Sequence, residues 1–275
     1  SVDDWSAFLW ASRLAYADRD YYMADDTAVP VPTTELIAPE YLDARARLID
    51  VAHAPSQVNP GIPPGSGDLF ESWGRAVSND NGTTHLVIVD GWGNAVSMTA
   101  TVESVFGSQR MTNGFLLNNQ LTDFAFEPNL NGRPVANAVA PGKRPRSSMT
   151  PTIVLNRNGD LVLAVGSPGG SSIIGYTART TIGILDWNLP VQEAINYGNA
   201  TARTAEIATE INRLPPGIAD GLTARGWRLQ QTSLGEVSGL HAIRVRANGE
   251  LEGGADPRRE GVVRSIPAQT AAPSR

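Results

Sequence analysis

Asn81-Gly82-Thr83-Thr84-His85-Leu86-Val87-Ile88-Val89 joins two textures of sequence in this 275-residue chain. On its upstream side, Pro55, Pro60, Gly61, Pro63, Pro64, Gly65 and Gly67 mark residues 54–82 as a flexible, surface-running linker. On its downstream side, Thr84 to Val89 reads as a tight strand. Asp90-Gly91-Trp92-Gly93 reads as its turn, and Ala95 to Glu103 as an alternating return strand. Asn-Gly is a strong hairpin-turn signal, yet no strand precedes Asn81. A Gly–Thr junction between a linker and a strand also suits self-cleavage. Gly82 tolerates the strained backbone in which a hydroxyl attacks the preceding carbonyl. Cutting there would free the Thr83 amine, whose ordinary pKa near 8 fits a general base for its own hydroxyl. On spacing alone, turn and cleavage junction both stand.

Working outward, Ser1-Val2-Asp3-Asp4 leads straight into Trp5, Phe8 and Leu9, so the chain starts as if inside a fold. Helices are expected over about 3–24 and from Pro39 to Asp50. A second hairpin comprises Thr152 to Leu155, the turn Asn156-Arg157-Asn158-Gly159, and Leu161 to Val165. Helical patterns follow over 171–185, 191–197 and 218–225, with strands at 227–231 and 242–246. Strand pairs alternating with helix pairs imply a layered sheet covered by helices. Residues 259–275 read as a loose tail. Hydrophobic residues at 41% and charged residues at 18% are a globular composition. A net charge of −6 argues against a nucleic-acid surface. No apolar run reaches the roughly 18 residues of a membrane span. Without cysteine, disulfides, thiolate metal sites and cysteine nucleophiles are excluded together.

Further motifs follow in order: Gly93-Asn94-Ala95-Val96, Phe106-Gly107, Leu116-Leu117-Asn118-Asn119-Gln120, Asp123-Phe124, Lys143-Arg144-Pro145-Arg146-Ser147-Ser148-Met149, Pro151-Thr152-Ile153, Gly166-Ser167-Pro168-Gly169-Gly170 and Asp256-Pro257-Arg258. With Thr83-Thr84-His85-Leu86, this series resembles the small subunit of γ-glutamyltranspeptidases. Ala15-Tyr16-Ala17-Asp18-Arg19 resembles a helix near the end of that family's large subunit. The resemblance implies an α+β fold, a four-layer αββα sandwich of the N-terminal-nucleophile hydrolase type, present here as its C-terminal half. It divides the chain into 1–82 (end of the large subunit), 83–258 (small catalytic subunit) and a tail, 259–275. It also implies a precursor that cuts itself between Gly82 and Thr83, the two products staying together as a heterodimer. Thr83 would then be the nucleophile and Thr101 the hydroxyl that orients and polarises it. Gly169 and Gly170 would supply the oxyanion N–H donors. Ser147 and Ser148 would bind the substrate's α-carboxylate, and Gln120, Asp123 and Glu103 would face its α-ammonium. The implied reaction passes the acyl group of a γ-glutamyl amide such as glutathione to water or an amine. It needs no cofactor and is expected in a periplasmic or secreted setting, although this chain carries no signal peptide.

Departures from the family's pattern are as informative. Glu103 stands where many members carry Asn, and the stretch from Asp123 to Ser147 is short and lacks the pocket-capping Tyr. The arginine that pairs with the substrate carboxylate belongs to a part of the large subunit that this chain does not include. Two other readings remain: a cephalosporin acylase accepting glutaryl groups, and a catalytically silent scaffold. His53, His85 and His241 show no metal-ligand spacing, and His85, on a strand, reads as structural. No Gly-x-Ser-x-Gly elbow supports a Ser-His-Asp esterase. Ser167-Pro168-Gly169-Gly170-Ser171 lacks the lysine of a phosphate loop.

Overall fold

A computed structural model describes residues 1–74, 82–232 and 237–266. Helix α1 (Val2–Tyr22) opens with a capping box, Ser1 accepting from the Asp4 N–H while Asp4 reaches back, and acids fill its first turn. A shorter helix, α2 (Pro39–Ala46), begins with proline at N1. Strands β1 (Thr83–Val89) and β2 (Ala95–Thr101) form an antiparallel hairpin. Its loop is built by Asp90, whose Oδ1 accepts the N–H groups of Trp92 and Asn94 at 2.9 Å each, with Gly93 at φ +88°. Asn156 builds the turn between β3 (Thr152–Leu155) and β4 (Leu161–Gly166) in the same way, accepting from Asn158 and Asp160.

Two helices follow, α3 (Ile173–Leu185) and α4 (Val191–Asn196). Then come β5 (Ala200–Thr201), β6 (Glu206–Thr209), α5 (Ile218–Ala224), β7 (Arg228–Gln231), β8 (His241–Val245) and β9 (Leu251–Ala255). The main sheet has the order β9-β8-β4-β3, antiparallel throughout. On one face α3 and α4 close a core of Leu163, Val165, Tyr176, Ile184, Val191 and Ile195. On the other face lies the β1–β2 hairpin, with Ser97 Oγ donating to Val165 O at 3.1 Å. Helix, sheet and hairpin thus stack as three layers. A smaller sheet, β7-β6-β5, has its own core with Trp5 and Leu9 of α1 and Leu222 of α5.

Two expectations need correction. The linker is not loose between residues 54 and 74. Val58 is buried beside Leu14 and Ala17, Gly61 N donates to Asp18, and Tyr22 OH donates to Gly61 O at 2.7 Å. Asn81 lies outside the described residues. The tail is not loose at its start either: Arg259 donates to Thr83 O at 3.3 Å and to Val237 O at 2.9 Å.

Candidate active site

The hairpin register sets Thr83 opposite Thr101. Thr101 Oγ1 accepts from Thr83 Oγ1 at 3.3 Å and from Glu103 N at 2.8 Å, and it donates to Gly82 O. One proton given and two lone pairs taken is a hydroxyl's full capacity. Its proton therefore faces the carbonyl of the Gly82–Thr83 peptide bond and draws electron density from the carbon that Thr83 would attack. Gly82 sits at φ +89°, and a Cβ there would stand 2.3 Å from Glu103 O, so the junction requires glycine. Glu103 itself has φ +73°, uncommon for a residue with a Cβ. That bend ends β2 and turns the Glu103 N–H back onto Thr101.

One pocket is lined by Thr83, Thr101, Glu103, Gln120, Asp123, Ser147, Ser148 and Gly170, together with Met149 and Ile173. The residues singled out from the sequence are thus brought together from five separate stretches. Gly82 and Gly169 adjoin the pocket without lining it. Gly169 (φ +132°) and Gly170 (φ +57°) turn the chain from β4 into a 3-10 turn and then α3, whose N-terminus favours negative charge. At the acidic end Glu103 and Asp123 are both buried. Ser104 Oγ and Asn119 Nδ2 donate to Glu103 Oε2, and Gln120 Nε2 donates to Asp123 Oδ2. Asn137 links this end to the serines, donating to Asp123 O at 2.8 Å and accepting from Arg146 N at 2.9 Å.

Sequence reasoning missed two groups. Arg19 of α1 reaches Ser148 Oγ at 2.6 Å and Ser147 O at 3.2 Å. Arg259 holds the carbonyl of Thr83, as described above. Quoting the Ala15–Arg19 motif located the first, but only the fold shows what it touches. His85, which the sequence suggested to be structural, stands on β1 next to Thr83 and Thr84. It is buried, its Nδ1 is 2.8 Å from Thr99 Oγ1, and burial, with a smaller contribution from His241, pushes its pKa down to about 4. The His85 and His241 rings, far apart in sequence, have centroids 6.5 Å apart. Among the described residues no group of three or more potential ligands could hold a metal ion, and no helix is long and apolar enough to cross a membrane.

A sequence model of the gamma-glutamyltranspeptidase family matches residues 1–266. The chain is 36% identical over 267 residues to the glutathione hydrolase proenzyme of Escherichia coli, covering 94% of this chain and 44% of that protein. It is 31% identical over 255 residues to the Acylase ACY 1 proenzyme of a Pseudomonas species, covering 91% of this chain and 41% of that one. Among solved structures, a gamma-glutamyltranspeptidase from Pseudomonas nitroreducens superposes with a TM-score of 0.59 at 36% identity. That alignment takes in 66% of this chain and 99% of that one. The chain therefore spans a little under half the length of the curated relatives it matches. Its α+β architecture is that of the N-terminal-nucleophile hydrolases, represented here by the helix, sheet and sheet layers of the αββα sandwich. Matched by one family model from its first residue to the end of its described portion, the chain belongs to the gamma-glutamyltranspeptidase family.

Proposed function

We propose that this chain is the catalytic half of a γ-glutamyl hydrolase or transferase that activates itself by cutting between Gly82 and Thr83. The observation that carries the reading is Thr101 bridging the Thr83 hydroxyl and the Gly82 carbonyl. Thr83 Oγ1 attacks the Gly82 carbonyl carbon, a C–O bond forms, and the C–N bond breaks as its nitrogen takes up a proton. Water then hydrolyses the ester, releasing the Gly82 carboxylate and restoring the Thr83 hydroxyl beside its now free amine. In turnover that amine takes the hydroxyl proton, Thr83 attacks the γ-glutamyl carbonyl, and the proton passes to the departing amine. N–H groups at Gly169 and Gly170 stabilise the oxyanion. Ser147 and Ser148 hold the α-carboxylate, while Glu103, Gln120 and Asp123 surround the α-ammonium. Water or an amine accepts the acyl group.

The pieces on either side of the cut would remain together as a heterodimer, in a periplasmic or secreted setting. Solved relatives support the cut, because about two thirds of this chain covers nearly the whole of theirs, as a chain beginning at Thr83 would. The test is to express the chain with whatever precedes it in its gene and to sequence the products. A fragment beginning Thr-Thr-His-Leu is expected, and Thr83→Ala should abolish both cleavage and turnover. A different N-terminus would remove Thr83 as the nucleophile. An uncut, inert wild type would leave the silent-scaffold reading.

A further inference from the structure

All but two of the residues lining the pocket at Thr83 are glycine or carry a hydroxyl, amide or carboxylate. The exceptions are Met149 and Ile173. Ile173 is the first residue of α3 and only 1% exposed, yet it belongs to none of the three apolar clusters among the described residues. Its side chain is part of the pocket wall instead. Its N–H donates to Gly170 O, which ties it to the turn proposed to hold the oxyanion. Met149 is half-buried and follows the two serines on a stretch without helix or strand. Its N–H donates to Ser147 Oγ at 3.1 Å, a local turn that fixes Met149 relative to the serines. The two apolar side chains of a polar pocket are thus each tied to a part of the proposed machinery.

We infer that Met149 and Ile173 determine the length of acyl donor the pocket takes, forming the wall against which the donor's methylenes pack. The inference rests on the γ-glutamyl reading proposed above. In that reading the α-carboxylate and α-ammonium are held by the serines and by Glu103, Gln120 and Asp123, while the γ-carbonyl must reach Thr83 Oγ1. Fixing both ends leaves only the link between them to vary, and in a γ-glutamyl group that link is two methylenes. Methylenes make no hydrogen bonds, so one, two or three of them are told apart by apolar contact and by room. A donor one methylene short leaves the wall partly uncovered. A donor one methylene long must be accommodated by displacing the wall.

The test uses the cut enzyme in its full-length form and three anilides sharing one leaving group. The donors are γ-glutamyl, β-aspartyl and δ-(α-aminoadipyl), which carry the same amino-acid head on two, one and three methylenes. Wild type should prefer the first in kcat/KM. Met149→Ala opens room and should raise the ratio of the three-methylene donor to γ-glutamyl by roughly tenfold. Ile173→Val removes one methylene from the wall and should raise that ratio about threefold, whereas Met149→Leu should leave it within about twofold. Because the three rates come from one preparation, a loss of folded protein cancels from every ratio. If Met149→Ala or Ile173→Val slows all donors by the same factor, that residue only holds its loop or helix and the inference falls, while the γ-glutamyl reading survives. A wild type that takes the three donors equally well overturns the inference in the same way. A wild type that turns over none of them overturns the γ-glutamyl reading and the inference with it.

Discussion

At the scale of single residues, the site depends on groups held where they would not ordinarily sit. Glu103 and Asp123 place two carboxylates at one end of a small pocket, which suits a donor with a cationic ammonium between them. A glutaryl donor lacks that cation and would leave their repulsion unrelieved. An unpaired buried charge typically costs about 3 kcal/mol or more, so γ-glutamyl anilide should outrun glutaryl anilide by roughly 100-fold in kcat/KM. Equal rates would favour the acylase reading, which the Pseudomonas acylase keeps in view. Glu103→Gln should narrow the ratio. His85 makes a second prediction, on stability. Its folded pKa of about 4 lies below the ordinary 6.5, so the unfolded chain binds the proton more tightly. The stability tied to neutral His85 is complete above pH 6.5 and declines as pH falls towards 4. Denaturant unfolding across that window should show a steeper loss in wild type than in His85→Gln, and parallel curves would refute it. Most of the pocket-lining residues were legible through the motif series and the family it resembles, while spacing alone left the Gly82–Thr83 junction open between turn and cleavage site. The contacts of Arg19 were not legible, because a guanidinium on a helix acquires them only from what packs against it.

Elements explain what the sequence could and could not announce. Helix α1 was readable to within two residues because acids fill its first turn and apolar positions recur through it. Strand β9 was missed, since Gly253-Gly254 erases the β pattern. A Cβ at Gly254 would stand 2.8 Å from side-chain atoms of Ile195 and Val191, so the glycine that hides the strand lets α4 pack on the sheet. The start of the tail was misread because Arg259 and Gly261 look solvated until β1 and β8 are in place. Gly261 in fact abuts His241. Helix α1 also does more than its position upstream of the proposed cut suggests. Tyr16 OH donates to Ser171 O at 2.5 Å, just past the Gly169-Gly170 turn, and burial pushes its pKa up to about 12, so it stays a donor. Tyr16→Phe removes that bond and should cost about 1 kcal/mol of stability. It should also lower kcat several-fold by loosening the Gly169-Gly170 turn, if that turn holds the oxyanion as proposed. Unfolding curves and single-turnover acylation would measure the two effects, and unchanged values in both would show that α1 does not hold the loop.

For the whole molecule, the informative feature is a hairpin that wears its faces the wrong way round for water. The inward side of β1–β2 carries Thr83, His85, Ser97, Thr99 and Thr101, small or polar groups, beside Val87 and Val89, and of these Thr83 and Thr101 line the pocket. The outward side pairs Ile88 with Val96 and Leu86 with Met98 across the strands. Ile88 is 55% exposed and Val96 and Met98 are 47% exposed each. Strands with one solvated face turn polar residues outward, so an apolar outer face implies another layer over it. The chain spans 44% of its Escherichia coli relative, so a protein of that length has residues outside the matched part that could supply that layer. We therefore expect that, in a protein of the relatives' length, residues outside this chain cover the outer face of β1–β2 and complete the sandwich around Thr83. The consequence can be measured with one substitution and one control. In the protein expressed with those residues, Met98→Lys would bury a charge without a partner and should destabilise it by several kcal/mol, roughly 3 or more. Asn158→Lys, in the exposed turn between β3 and β4, should stay within about 0.5 kcal/mol. Denaturant midpoints for the two variants and the parent give the comparison. If Met98→Lys proves as harmless as Asn158→Lys in that longer protein, the outer face meets water there too. The missing layer would then have to sit elsewhere, and the hairpin's apolar side would need another partner.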